Sequence, residues 1–425
     1  MNRLTTYALL TLAIAAPARA QTIAITGGTV YPVSGPAIQN GTVVMRDGRI
    51  VAVGANVSVP SDAQRIDATG KIVTPGIVNA ATQLTITEVG AVASTRNSSA
   101  RGHEGIAAAF TVWDGLNPLS VLLPPARAAG ITSVVIAPRG GIIAGQAAVL
   151  HLVDGSAAEM VMRSPVAMVG QISNGQQVGA QSRGEVMLRL REVLDDARTY
   201  ARRKADYERA QTRQFAASRA DLEALIPVLE GRVPLMLDVD QASEIESALK
   251  LARDYNLKLI ISGGDEAWMV ADKLAAAKVP VLTGAMNNIP MTFSRLGTRQ
   301  ENAGLLRRAG VAVALIGNAG GGDEEAFNVR NVRYEAGNAV AYGMSHDDAL
   351  RAITLTPAEI FGVADRVGSL QPGRDADVVV WSGDPFEFAT QPEHVFIRGR
   401  EVRGPTRQDL LEQRYKTLPP NYRAP

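Results

Sequence analysis

The chain has no cysteine, only 5% aromatic residues, four histidines, and 43 basic against 42 acidic side chains for a net charge of +1. Without cysteine there is no disulfide framework, no lipidated N-terminal cysteine and no thiolate metal site. The charge balance gives no field that would gather nucleic acid or an anionic membrane surface. So few aromatic rings argue against stacking platforms for bases or sugars. Beyond residue 20 no apolar run approaches the roughly 18 residues of a membrane span, so no membrane anchor is expected. Four histidines leave little material for a metal site built from imidazoles.

What is present is a chain of 425 residues, 46% of them hydrophobic, enough for one large barrel and a smaller domain. The first twenty residues stand apart. Asn2-Arg3 supplies a positive start, 7–16 is an apolar run, and Ala18-Arg19-Ala20 precedes Gln21. This pattern is that of a secretory signal peptide cleaved after Ala20, and it points to a periplasmic or secreted protein.

The mature chain is strand-rich at both ends. Segments 22–31, 42–46 and 49–53 are β-branched, with Asp47-Gly48 as a two-residue hairpin signal; 376–381 and 394–402 read the same way. Segments 21–74 and 365–404 are therefore expected to fold together into one composite β-sandwich. Between them, short apolar segments at 72–84, 131–137, 147–152, 166–170, 233–239, 258–262, 279–284 and 311–317 make eight candidate strands. Helical stretches lie between several of them, such as 243–255 and 265–277. Alternation of strand and helix implies parallel strands joined by crossovers. The expected fold class is α/β, a (β/α)8 TIM-like barrel over 75–364 with the composite sandwich beside it. An open doubly wound sheet is the alternative, and it leaves the split β ends without a reason. Within 183–232, Val186, Leu190, Val193, Ala197, Tyr200 and Tyr207 fall on one helical face. That stretch reads as a crossover helix, or else as an insertion used as a lid or oligomer contact. Residues 405–425 read as a loosely packed tail.

Two segments carry a family resemblance. Residues 71–83 read KIVTPGIVNAATQ, and 331–385 read NVRYEAGNAVAYGMSHDDALRAITLTPAEIFGVADRVGSLQPGRDADVVVWSGDP. Together they resemble the amidohydrolase superfamily in its imidazolonepropionase-like branch. The resemblance implies a zinc- or iron-bound hydroxide that hydrolyses non-peptide carbon–nitrogen bonds, since a metal lowers the pKa of its water to about 7. It also implies where ligands belong. Pro-Gly should be followed by His-x-His, and those positions hold Ala81 and Gln83. The fourth-strand position falls near 169–171, which offers neither lysine nor glutamate. Strand five offers Asp238, strand six offers only Ser262-Gly263-Gly264, and the aspartate of strand eight is Asn318. Alanine has no donor atom, an amide is a poor ligand for zinc, and Asn318 has no basicity with which to take a proton from water. No resident metal is expected, and the family's standard mechanism is not expected to operate.

Alternation along a strand puts Asp238 and Asp240 on one face. The family's register would bring them together with Gln83 and Asn318 at the carboxyl face of the barrel, in a pocket that includes Ala81 and Gly263. Three uses are open. The two carboxylates are tied to backbone amides or an arginine; they hold a hard cation such as Ca²⁺ or Mg²⁺; or they form an acid–base pair, one pKa raised by the other. Glu88 and Asn97 are further candidates for the same cavity. His103 and His151 read as hydrogen-bonded structural residues, and the three glycines after Asn318 as a loop. The expected partners are a small-molecule ligand and, for assembly, a second copy of the chain or an active relative. The competing reading is a non-catalytic protein that binds a ligand or stabilises a partner.

Overall fold

The structure is a computed structural model, and it describes residues 22–173, 179–286, 290, 293–317 and 324–417. The segment expected to be a signal peptide lies outside the described residues. The two chain ends meet in one eight-stranded sheet. Its strands are β1 (Thr22–Val30), β2 (Ile38–Arg46), β3 (Arg49–Gly54), β4 (Gln64–Asp67), β5 (Ile72–Pro75), β14 (Val378–Trp381), β15 (Pro392–Ile397) and β16 (Arg400–Glu401). The order is β16-β15-β14-β5-β1-β2-β3, with β4 also paired to β1. The seam between the two ends is the antiparallel pair β5–β14, in register from Ile72 opposite Trp381 to Pro75 opposite Val378. Ile25, Val43, Met45, Val73, Val378 and Phe396 fill the core that this sheet encloses.

The middle of the chain supplies a second sheet of eight strands, nearly closed into a barrel. They are β6 (Ile77–Thr82), β7 (Ile131–Ile136), β8 (Ile143–His151), β9 (Val161–Gln171), β10 (Leu235–Val239), β11 (Leu259–Gly263), β12 (Val281–Thr283) and β13 (Val313–Leu315). Each of the eight segments picked out by composition holds a strand of this barrel, and the first, 72–84, also holds β5 of the composite sheet. One detail differs from the expected pattern: β8 runs antiparallel to both β7 and β9. A parallel crossover takes a dozen or more residues, and the link from Ile136 to Ile143 is too short for one. It reverses instead through Gly140 and Gly141, whose φ values of +82° and +75° suit glycine alone without strain. The turn from β8 to β9 has room only for the single helical turn Ala157–Met160.

Inside the barrel, Val78, Val135, Ala147, Ala167, Met236 and Ile260 contribute to a packed inner layer. A larger core lies between the strands and the surrounding helices. The stretch after β9 forms the helices Arg183–Arg202 and Arg219–Leu229, which lead to β10. The first buries Val186, Leu190, Val193, Ala197 and Tyr200 of the predicted face, while Tyr207 falls on the separate short helix Lys204–Glu208 and is partly exposed. Its partner helix also holds the long loop after β6, because the Ala109 N–H donates to Asp221 Oδ1 at 2.9 Å. The segment read as a tail carries an exposed helix, Arg407–Tyr415, started by a capping box of Thr406 and Asp409. No helix among the described residues is long and apolar enough to cross a membrane.

Candidate functional site

The side chains of β10 alternate between the two cores. Met236 packs in the inner layer, while Leu237 and Val239 pack in the outer one. Asp238 therefore follows Met236 toward the barrel interior, where it is partly exposed. Asp240 comes just past the strand end and is only 2% exposed. The two carboxylates meet over Gly263, the last residue of β11. A methyl group on Gly263 would stand 2.5 Å from Asp240 Oδ1 and 3.2 Å from Asp238 Oδ1, and its φ is +86°. Glycine is what lets both acids close on this piece of backbone.

Arginines answer the acids. Arg295, on the turn Phe293–Arg295 after β12, donates its Nε–H to Asp240 Oδ2 at 3.0 Å and lies 3.2 Å from Asp265 Oδ2. Arg139, after β7, faces Asp238. Behind them Glu244 pairs with Arg183 at 2.5 Å and accepts from Ser173 Oγ at 2.6 Å; that hydroxyl in turn accepts the Asp240 N–H at 3.0 Å. Asp240 Oδ1 is buried without a hydrogen-bond partner. Burial, then the charges of Asp238 and Asp265, push the Asp240 carboxyl up to about 7 against the pull of Arg295. Burial also raises Asp238, with Arg139 and Arg295 opposing and Asp265 and Glu244 adding to the rise. Burial draws the Arg139 guanidinium below its usual range, and Asp238 offsets part of this.

The other expected pocket residues sit differently. Ala81 is partly exposed, and its N–H donates to Asn79 Oδ1 at 3.1 Å. Gln83 is buried and organises a turn: its side-chain oxygen accepts from Thr87 Oγ1 at 3.1 Å, and its carbonyl accepts from the Ile86 and Thr87 N–H groups. Its Nε2 is buried without a partner. Asn318 lies outside the described residues. The structure thus brings Asp238, Asp240 and Gly263 together, while the bonds found for Gln83 lead to its own turn. Glu88 accepts from Asn117 Nδ2 at 2.5 Å, and Asn97 is exposed. Sequence reasoning missed Asp265, Arg295, Arg139 and Glu244. Asp265 was within reach of it, two residues past Gly263 at the end of the same strand.

The histidines are elsewhere. His151 bonds to Asp377 below the barrel, His346 to Asp384, His394 to Glu401, and exposed His103 to the Ala216 carbonyl. No group of three or more His, Asp or Glu among the described residues is placed to hold a metal ion. Among the described residues the donor set does not fit the zinc or iron that the fold family implies. Ala81 has no donor, the Gln83 amide oxygen is engaged by Thr87, and Gly263 stands where strand six would supply a ligand.

Comparison with known proteins places this geometry. The sequence profile of the Amidohydrolase family matches residues 278–402. Amidohydrolase tasK from Hapsidospora irregularis is 24% identical over 377 residues, covering 80% of this chain but only 37% of that protein. An imidazolonepropionase from Mesorhizobium japonicum is 23% identical over 369 residues, covering 81% of this chain and 87% of the relative. Among solved structures, an amidohydrolase from Thermotoga maritima MSB8 superimposes with a TM-score of 0.81 at 27% identity, covering 90% of this chain and 99% of that one. The two relatives and the solved structure cover 80% to 90% of this chain, and with the split-end architecture they support the family: the chain is an imidazolonepropionase-like member of the amidohydrolase superfamily.

Proposed function

We propose that this chain is an exported, periplasmic hydrolase of non-peptide carbon–nitrogen bonds that works through a carboxylate pair and not through a metal-bound hydroxide. The observation that carries the reading is the pair itself. Asp238 faces the barrel interior, and Asp240 behind it is held at about 7, near the pH at which a general acid–base group works best. Asp238 takes a proton from water as the water oxygen bonds to the substrate carbon. It returns that proton to the nitrogen as the carbon–nitrogen bond breaks, so the carboxylate ends as it began. Asp240 Oδ1 is buried without a hydrogen-bond partner on the same side of Gly263 as Asp238 Oδ1, and on this reading the two carboxyls share a proton. On this reading Arg139, which interacts with Asp238, supplies the positive charge that a developing substrate oxyanion needs.

A second reading rests on one contact. Arg295 already occupies Asp240 Oδ2 at 3.0 Å, as in a purely structural ion pair. On this reading the chain is a non-catalytic protein that binds a ligand or stabilises an active relative. Turnover of a panel of cyclic amides, ureas and amidines, measured with a chelator present, separates the two. The hydrolase reading expects chelator-resistant turnover that falls about 10²- to 10⁴-fold in D238N. No turnover on any member, with ligand binding unchanged in D238N, favours the second.

A further inference from the structure

The Arg295 guanidinium joins three parts of the chain at the mouth, the same three that Glu266 joins beside it. Asp240 follows β10, Asp265 follows β11, and Arg295 follows β12; its Nε lies 3.0 and 3.2 Å from the two carboxylates. Its turn is fastened on both sides. Trp268 Nε1–H donates to the Gly297 carbonyl at 2.9 Å, and the Gly297 N–H donates to Glu266 Oε1 at 3.1 Å. Glu266 Oε2 in turn accepts from the Ala242 N–H at 3.0 Å, and Thr298 Oγ1 donates to the Arg295 carbonyl at 2.6 Å. The guanidinium is aimed.

Charge counting shows what it is aimed at. The charged groups that act most on Asp240 are Asp238, Asp265 and Arg295, and of these Arg295 is the positive one. Those that act on Asp238 are Arg139, Arg295, Asp265 and Glu244, and Glu244 is paired with Arg183. Segments 287–292 and 318–323, which follow β12 and β13 in the sequence, contain no lysine or arginine. Take Arg295 away, and Asp240 loses the cation hydrogen-bonded to it while Asp238 and Asp265 stay beside it.

We propose that Arg295 is the built-in cation of this barrel, a positioning residue whose guanidinium takes over the charge-balancing place of the metal ion that the donor set no longer fits. It holds Asp240 against Asp265 and leaves Asp238 as the group that meets substrate. This rests on the metal-independent reading above, and it adds a residue to it.

The test is thermal unfolding of the intact chain from about pH 6 to pH 9, for wild type, R295A, R295Q and R295K. Each is measured with methylguanidinium chloride and with the same concentration of sodium chloride. The expected result is a wild-type stability that levels off above about pH 8. R295A and R295Q keep losing stability with the midpoint of the fall displaced upward by about one pH unit or more, because Asp240 has lost its counter-charge. Methylguanidinium restores the wild-type profile of R295A saturably and leaves wild type unchanged, and R295K keeps much of that profile. If R295A does not fold, the contrast between R295K and R295Q decides by itself. The proposal is overturned if the neutral variants keep the wild-type pH profile. It is equally overturned if they lose stability by the same amount at every pH with no response to methylguanidinium, which is what a simple loop staple gives. Rescue is read without substrate. A wild type that turns over no carbon–nitrogen substrate, with rescue intact, removes the hydrolase reading and leaves Arg295 as the charge surrogate.

Discussion

His151 Nε2 lies 2.7 Å from Asp377 Oδ2, a contact that ties the end of barrel strand β8 to the run entering β14 of the composite sheet. Both residues are buried. Asp377 also accepts the Arg398 N–H at 2.9 Å, while Asp375, two residues earlier, is met by Arg49 at 2.9 Å and Arg366 at 2.8 Å. Removing one partner of such a network leaves buried polar groups without a hydrogen bond, which costs about 1–3 kcal/mol. D377A is expected to lose stability on that scale in urea unfolding. A loss below about 1 kcal/mol would make the contact incidental.

Gly263 gives the second prediction. G263A places a methyl 2.5 Å from Asp240 Oδ1 at a φ of +86°. Strained backbone of this kind costs on the order of 1–3 kcal/mol for a residue with a side chain, and displacement of the acid adds to it. The variant is expected to be destabilised and to lose the raised carboxyl. Carboxyl NMR titration and thermal unfolding check the two halves separately, and a folded variant with an unchanged Asp240 titration contradicts the packing described.

The pH dependence has a definite sign. The Asp240 carboxyl is raised to about 7 in the folded chain from an ordinary value of 3.8. Between those values the unfolded chain has released a proton that the folded chain still holds. Asp240's contribution is thus fully present below about pH 4 and is lost as pH rises through about 7. Thermal unfolding of wild type against D240N should show this fall in wild type alone. Equal slopes in the two proteins would mean that Asp240 ionises normally.

How much of this was legible beforehand depended on periodicity. The eight barrel strands and the two split ends stand out because β-branched runs and turn residues are local signals. The direction of β8 was missed because it turns on loop length, and alternating composition alone suggests a crossover. At the mouth, Asp238 and Asp240 could be paired by their spacing of two. Arg295, Asp265 and Arg139 belong to other strand ends, and only the closed barrel brings them near. The same holds for His151 and Asp377, which lie far apart in the chain and meet at the junction of barrel and sheet.

Restoring the family's first-strand histidines alone should not restore its chemistry. In A81H/Q83H the strand-eight position is still Asn318, with no basicity, and strand six still ends in Gly263-Gly264. The double variant is expected to show no zinc-stimulated hydrolysis of carbon–nitrogen substrates. Zinc-dependent turnover appearing in it would mean that the remaining donors are more complete than Asp238 and its neighbours suggest.

The most direct test of the central claim is the metal content of the native protein, purified without chelator and measured by plasma mass spectrometry. The account predicts zinc, iron and manganese all far below one atom per chain, with turnover indifferent to chelation. One tightly held zinc or iron per chain, lost together with activity on chelation, would contradict it.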